Sequence, residues 1–157
     1  MRKLITFAGT GNYQTATYVW QDRERTTSFI AEALTAWFEP DEVLVVLTPT
    51  AERNANWENL QLAVPAVKPL EIPEPGSESA LWEIFRVLSA NITTDDEIIL
   101  DVTHAFRALP VIALVSASYL QALSGARITH ILYGAWEAKQ ADGRTPVFDL
   151  GLFLQLQ

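Results

Sequence analysis

The 157-residue chain contains no cysteine. That excludes disulfides and removes the thiolate ligands on which most structural zinc sites depend. With two histidines and no carboxylate cluster at ligand spacing, no transition-metal site is expected. Basic residues are also scarce: 11 Lys and Arg against 19 Asp and Glu leave a net charge of −8, and the cations form no cluster. Sequence-independent duplex binding needs a basic face that displaces counterions, so general duplex nucleic-acid binding is excluded as a function. No apolar run approaches the ~18 residues that suggest a membrane-spanning helix. The N-terminal Met1, Arg2 and Lys3 lead straight into a strand-like segment, without the small-residue cleavage site of a signal peptide. A soluble, cytoplasmic protein without membrane association is the expectation. Two catalytic signatures are missing as well. No G-x-S-x-G elbow occurs, and Thr103 stands where a second aspartate after Asp101 would complete a D-x-D motif.

What is present is a balanced globular composition, with 49% hydrophobic residues. The length suits a single domain spanning residues 1–157. Residues 3–8, 43–47, 67–72, 97–101, 127–133 and 147–152 read as strands, with Pro69 marking the third as an edge or a bulge. Helical spacing predicts helices over 26–38, 51–62, 81–92 and 110–123, the last ending at Gly125 as C-cap. Residues 73–79 form a Pro-, Gly- and Ser-rich loop with a serine cap, and Asp142 and Gly143 mark a turn before an antiparallel final pair. Strands alternating with helices predict an α/β fold: a mostly parallel sheet of about six strands with helices on both faces.

Ligands of open parallel sheets bind beyond the carboxyl ends of the strands, and two polar loops stand there. The first is Gly9, Thr10, Gly11, Asn12, Tyr13 and Gln14. Its glycines let backbone amides approach an anion, and Thr10, Asn12 and Gln14 add hydrogen-bonding side chains. An ordinary polar turn would look the same. The segment lacks the third glycine of a dinucleotide fingerprint, which weakens a dinucleotide-binding reading. The second loop is Asp101, Val102, Thr103, His104, Ala105, Phe106 and Arg107. A carboxylate, a hydroxyl, an imidazole and a guanidinium just before a helix suit a phosphate. The alternative is a capped helix start, with Asp101 or Thr103 as cap and Arg107 paired to an acidic neighbour. Tyr13 and Trp20 could stack on a base, whereas His130 lies inside a strand pattern.

Four stretches carry a likeness to a known family: KLITFAGTGNY at 3–13, IILDVTHAFRALP at 98–110, ILYGAWEAK at 131–139 and TPVFDL at 145–150. In order and spacing they resemble the CARF domain, the CRISPR-associated Rossmann fold, in the branch found at the N terminus of type III CRISPR accessory HEPN ribonucleases. The likeness runs over nearly the whole chain. It implies a Rossmann-like homodimer, without a cofactor, that binds a cyclic oligoadenylate across its two-fold axis in antiviral signalling. It places the ligand at Gly9, Thr10, Gly11, Asn12, Tyr13 and Gln14, and at Asp101, Thr103, His104, Ala105, Phe106 and Arg107. Where the family usually has glycine after the histidine, this chain has Ala105. No R-x₄₋₆-H ribonuclease motif occurs, so the likeness extends to the sensing domain alone.

Two activities are compatible with that resemblance. One is a stand-alone ring nuclease that opens cyclic tetra-adenylate without metal, by attack of a ribose 2′-OH on its adjacent phosphate. Thr10 and Asn12 would then orient the 2′-OH, His104 would move a proton, and Arg107 with the amides of residues 9–12 would stabilise charge. The other is a non-catalytic sensor that regulates a partner or a missing effector domain. A lone sensor has no output of its own, which favours the nuclease.

Overall fold

The computed structural model describes residues 1–106 and 108–152. In chain order the elements are β1 (Arg2–Phe7), β2 (Ala16–Trp20), β3 (Arg23–Thr27), α1 (Ile30–Phe38), β4 (Glu42–Leu47), α2 (Pro49–Glu52), α3 (Ala55–Ala63) and β5 (Val67–Glu71). They continue with α4 (Glu78–Ala90), β6 (Glu97–Asp101), α5 (Leu109–Ser124), β7 (Arg127–Gly134), a 3-10 turn (Trp136–Ala138) and β8 (Arg144–Asp149). All strands join one sheet in the order β3-β2-β8-β7-β6-β1-β4-β5. β5, β4, β1, β6 and β7 run parallel to one another, β8 pairs antiparallel with β7, and β2 pairs parallel with β8. No described helix is long and apolar enough to cross a membrane.

The parallel core buries both faces, and strict alternation divides its side chains between them. Leu4, Val43, Val45, Leu47, Ile99 and Leu132 pack on one side against Ile30, Leu34 and Phe38 of α1 and Trp57 and Leu60 of α3. Ile5, Phe7, Leu44, Val46, Ile98, Leu100 and Ile131 pack on the other against Ile84 and Leu88 of α4 and Leu109 and Ala113 of α5. The Rossmann-like α/β class expected from the sequence is therefore the one observed. Several local signals also act as read: Ser77 caps α4 by accepting the Ala80 amide at 3.1 Å, Gly125 adopts φ 82° past α5, and Pro69 sits on the edge strand β5.

Among the described residues the sheet has eight strands rather than about six. The addition is the β2–β3 hairpin, and it takes over residues 26 and 27, so the first helix begins at Ile30 rather than at residue 26. Its turn uses Gln21 at φ 57° and Asp22 instead of Asn-Gly, and β3 (RERTT) is almost wholly exposed. Without an apolar period or a glycine turn, this strand has no sequence signature; it forms because β2 offers it a ladder. The last strand also begins earlier than the run 147–152 suggests, because Arg144 and Thr145 already pair with β2.

Candidate ligand-binding site

Reading across the parallel strands as β5-β4-β1-β6-β7, the chain order reverses between β1 and β6. A crevice opens beyond the strand ends at such a reversal, because the loops on either side leave in opposite directions. Both polar loops emerge there. They are joined beneath the surface by Asp101, which is fully buried. Its Oδ2 accepts the Thr6 hydroxyl of β1 at 2.6 Å, and its Oδ1 accepts the Thr103 amide at 3.1 Å and hydroxyl at 2.6 Å. The Thr103 oxygen in turn accepts the Gly134 amide at 2.9 Å, which ties the loop to the end of β7. Gly134 suits this close approach: a Cβ there would stand 2.7 Å from Ile30 Cδ1 and 3.0 Å from Tyr18 Cε1. Asp101 thus shapes the loop from inside. It is not the cap of α5, which starts later, at Leu109, with Ala108 as a cap lacking any side-chain hydrogen bond.

The first loop presents Thr10, Gly11, Asn12 and Gln14 to solvent, while Gly9 is buried. Its curvature is held from α3, where the Asn56 side-chain amide donates to the Gly9 carbonyl at 2.9 Å and to the Gly11 carbonyl at 2.8 Å. Turning both carbonyls toward Asn56 leaves the other side of this stretch for an incoming ligand. Asn56→Asp removes both donors and sets a carboxylate against two carbonyl oxygens. Affinity for the ligand of this site is expected to fall about tenfold, at a stability cost of about 1–2 kcal/mol. Isothermal titration and thermal melts of the variant measure the two effects.

Tyr13 folds back over the second loop. Its ring stacks on His104 with centroids 4.0 Å apart and planes 16° from parallel, its edge meets Phe29, and its hydroxyl accepts the Gly9 amide at 2.7 Å. Burial, only partly offset by the Gly9 hydrogen bond, pushes the Tyr13 phenol up to about 12. Burial likewise pushes the His104 imidazole below its ordinary value, against the pull of the Asp101 charge. His104 is therefore a neutral base near pH 7, and its Nε2 is buried without a hydrogen-bond partner among the described residues.

Two cavities flank this stack. One, of about 290 Å³, is lined by Asn12, Gln14 and Ser28 together with the aromatic Tyr18, Tyr133 and Trp136. The other, of about 300 Å³, lies against Gly9, Thr10, Ala105 and Phe106. The structure thus gathers Gly9, Thr10, Gly11, Asn12, Tyr13, Gln14, Thr103, His104, Ala105 and Phe106 around one crevice. Arg107 lies outside the described residues. Trp20 is elsewhere: it packs on Trp37, Phe38 and His130, and His130 pairs with Asp149 at 2.7 Å. Among the described residues no group of three or more His, Asp or Glu side chains could hold a metal ion.

The sequence reading misses Tyr18, Ser28, Asn56, Tyr133 and Trp136. Tyr133 and Trp136 stand in ILYGAWEAK, a stretch that carries the family likeness but no assigned role. Tyr18 and Ser28 come with the unforeseen hairpin, and Asn56 looks like any polar residue in a helix's first turn.

An α/β sheet with a crevice at its order reversal, an amide-rich loop and an aromatic-walled cavity defines a ligand-binding domain of Rossmann type. Comparison with known proteins makes this specific. The family model described as "CRISPR system endoribonuclease Csx1, CARF domain" matches residues 3–137, and the chain belongs to that family. As a CARF domain it has a ligand-sensing role in a CRISPR system. CRISPR-associated protein MJ1674 of Methanocaldococcus jannaschii is 29% identical over 79 residues, covering 48% of this chain and 12% of that protein.

Proposed function

We propose that residues 1–157 act as one domain that binds cyclic tetra-adenylate as a homodimer and opens the ring without a metal. The observation that carries this is the pairing, at the order reversal, of an amide-rich loop with an aromatic-walled cavity. A phosphate suits the loop amides, and a purine suits Tyr18, Tyr133 and Trp136 beside the hydrogen-bonding side chains of Asn12, Gln14 and Ser28. Against a net charge of −8, affinity for phosphates has to come from such local donors and from Arg107.

The homodimer has independent support in α5. A helix that is apolar all round needs burial all round. Leu109, Ala113 and Ala117 are buried, but Val111, Val115 and Tyr119 are half or more exposed. Tyr119 continues into α4 through an edge contact with Phe85, which meets Trp82, and Trp82 is 72% exposed. The Leu109 amide at the start of α5 donates to the carbonyl of Phe106, which lines the second cavity. A second copy on this face therefore brings two half-sites side by side, as a two-fold symmetric ring requires.

For cleavage, a ribose 2′-oxygen attacks its adjacent phosphorus and the P–O5′ bond breaks, leaving a 2′,3′-cyclic phosphate and a 5′-hydroxyl. Thr10 and Asn12 orient the attacking hydroxyl, neutral His104 takes its proton, and water protonates the departing 5′-oxygen. Arg107 and the amides of residues 9–12 stabilise the equatorial oxygens. A pure sensor is the second reading, favoured by the covering of His104 by Tyr13. Incubation with cyclic tetra- and hexa-adenylate in EDTA, followed by mass spectrometry, separates the two. A linear product ending in a 2′,3′-cyclic phosphate is expected. Tight binding without turnover would establish the sensor, and neither binding nor turnover would overturn both.

A further inference from the structure

Tyr13 stands where the two flanking cavities meet. Gly11, Tyr13, Thr103 and His104 line both of them, so the Tyr13 side chain is part of the partition between spaces of about 290 and 300 Å³. It makes two contacts that a nucleotide would make in its place. A flat ring lies on the His104 imidazole at stacking distance, and an oxygen accepts the first amide of the glycine loop. Beneath it, the buried and unpartnered Nε2 of His104 is an acceptor or donor with nothing to bond to among the described residues. Most buried polar atoms of native structures are paired, so an orphaned imidazole nitrogen offers a place for a bonding partner. The hydroxyl stays neutral, because burial holds the phenol's proton well above physiological pH. The Gly9 amide is thus occupied by a weak, uncharged acceptor that an anionic oxygen can outcompete.

We propose that Tyr13 is a resident stand-in for the nucleotide: the incoming ligand displaces its ring from His104 and its hydroxyl from Gly9, merging the two cavities and uncovering His104 Nε2. The identity of that ligand rests on the ring-binding reading above; the covering of His104 by Tyr13 does not. Two consequences follow for the site. The charge-holding amide and the proton-moving imidazole become available in one movement, since one side chain blocks both. And until that movement His104 Nε2 stays buried.

The experiment uses two variants and two readouts. Carbethoxylation by diethylpyrocarbonate at pH 7, followed by peptide mass spectrometry, reports His104 with His130 as the internal reference; these are the two histidines of the chain. In the wild type His104 should react about tenfold or more slowly than His130, and Tyr13→Ala should bring the two rates together. Tyr13→Phe retains the stack and frees the Gly9 amide, so His104 stays protected while affinity for cyclic tetra-adenylate rises about fivefold, the loss of one competing hydrogen bond. Persistent protection of His104 in folded Tyr13→Ala overturns the proposal. So does a Tyr13→Phe protein that binds the ring no more tightly than the wild type, which leaves ring binding intact. If no variant binds the ring, ring binding fails, while exposure of His104 in Tyr13→Ala still identifies Tyr13 as its cover. Should Tyr13→Ala not fold, the Tyr13→Phe affinity alone decides.

Discussion

Replacement of Asp101 by alanine is expected to cost about 3 kcal/mol of stability and to abolish ligand binding, although Asp101 is fully buried and no ligand can touch it. Its carboxylate receives the Thr6 hydroxyl and both the amide and hydroxyl of Thr103. Removing it strands three donors at the junction of β1, β6 and β7, each worth about 1 kcal/mol when left unpaired in the interior. For a chain of this length the loss corresponds to a melting midpoint lower by about 10 °C. Binding suffers beyond stability, because Thr103 loses its orientation and with it the Gly134 contact that positions the His104 loop. Asp101→Asn keeps the shape and one acceptor oxygen, so it should fall between wild type and alanine. Calorimetric melts and ring titrations on the folded fraction check this. An Asp101→Ala protein that melts like the wild type would show that the buried network does not hold the loop.

The second large effect is expected on the exposed face of α5. Val115→Asp combined with Tyr119→Asp places two carboxylates in the middle of the apolar stripe, on side chains already 52% and 50% exposed. The folded monomer should tolerate this, since neither residue belongs to the buried core. The proposed dimer should not, because a two-fold contact sets each introduced charge near its counterpart or against apolar surface. A ring that spans two half-sites then loses one of them, and affinity for cyclic tetra-adenylate should fall about 100-fold or more. Light scattering after gel filtration reports the oligomeric state, and titration calorimetry the affinity. A monomeric variant that binds the ring at full strength would remove the two-half-site arrangement. A wild type that is monomeric with and without the ring would remove the dimer itself.

The amino-acid pattern by itself determined the class of the fold. Continuous apolar runs such as Val43–Leu47 and Ile98–Leu100 are what strands buried on two faces show, and that in turn calls for helices on both sides. Punctuation was equally legible where its chemistry is local: Ser77 before α4, Gly125 after α5, and Pro69 on an edge. The sequence also marked the two polar loops that follow β1 and β6, since glycine and polar residues following a buried strand mark its carboxyl end. Tertiary structure alone decided what those residues do. Thr6 and Asp101 are 95 positions apart, and Asn56 reaches Gly9 across 47, so no window of sequence contains either bond. From the sequence Asp101 reads as a helix cap or a ligand contact, and its part as an internal brace emerges only once β1 is placed beside β6. Tyr13 likewise becomes a cover for His104 only once the order reversal sets the two loops face to face. Periodicity and turn chemistry are properties of neighbours along the chain, whereas a site is a property of neighbours in space.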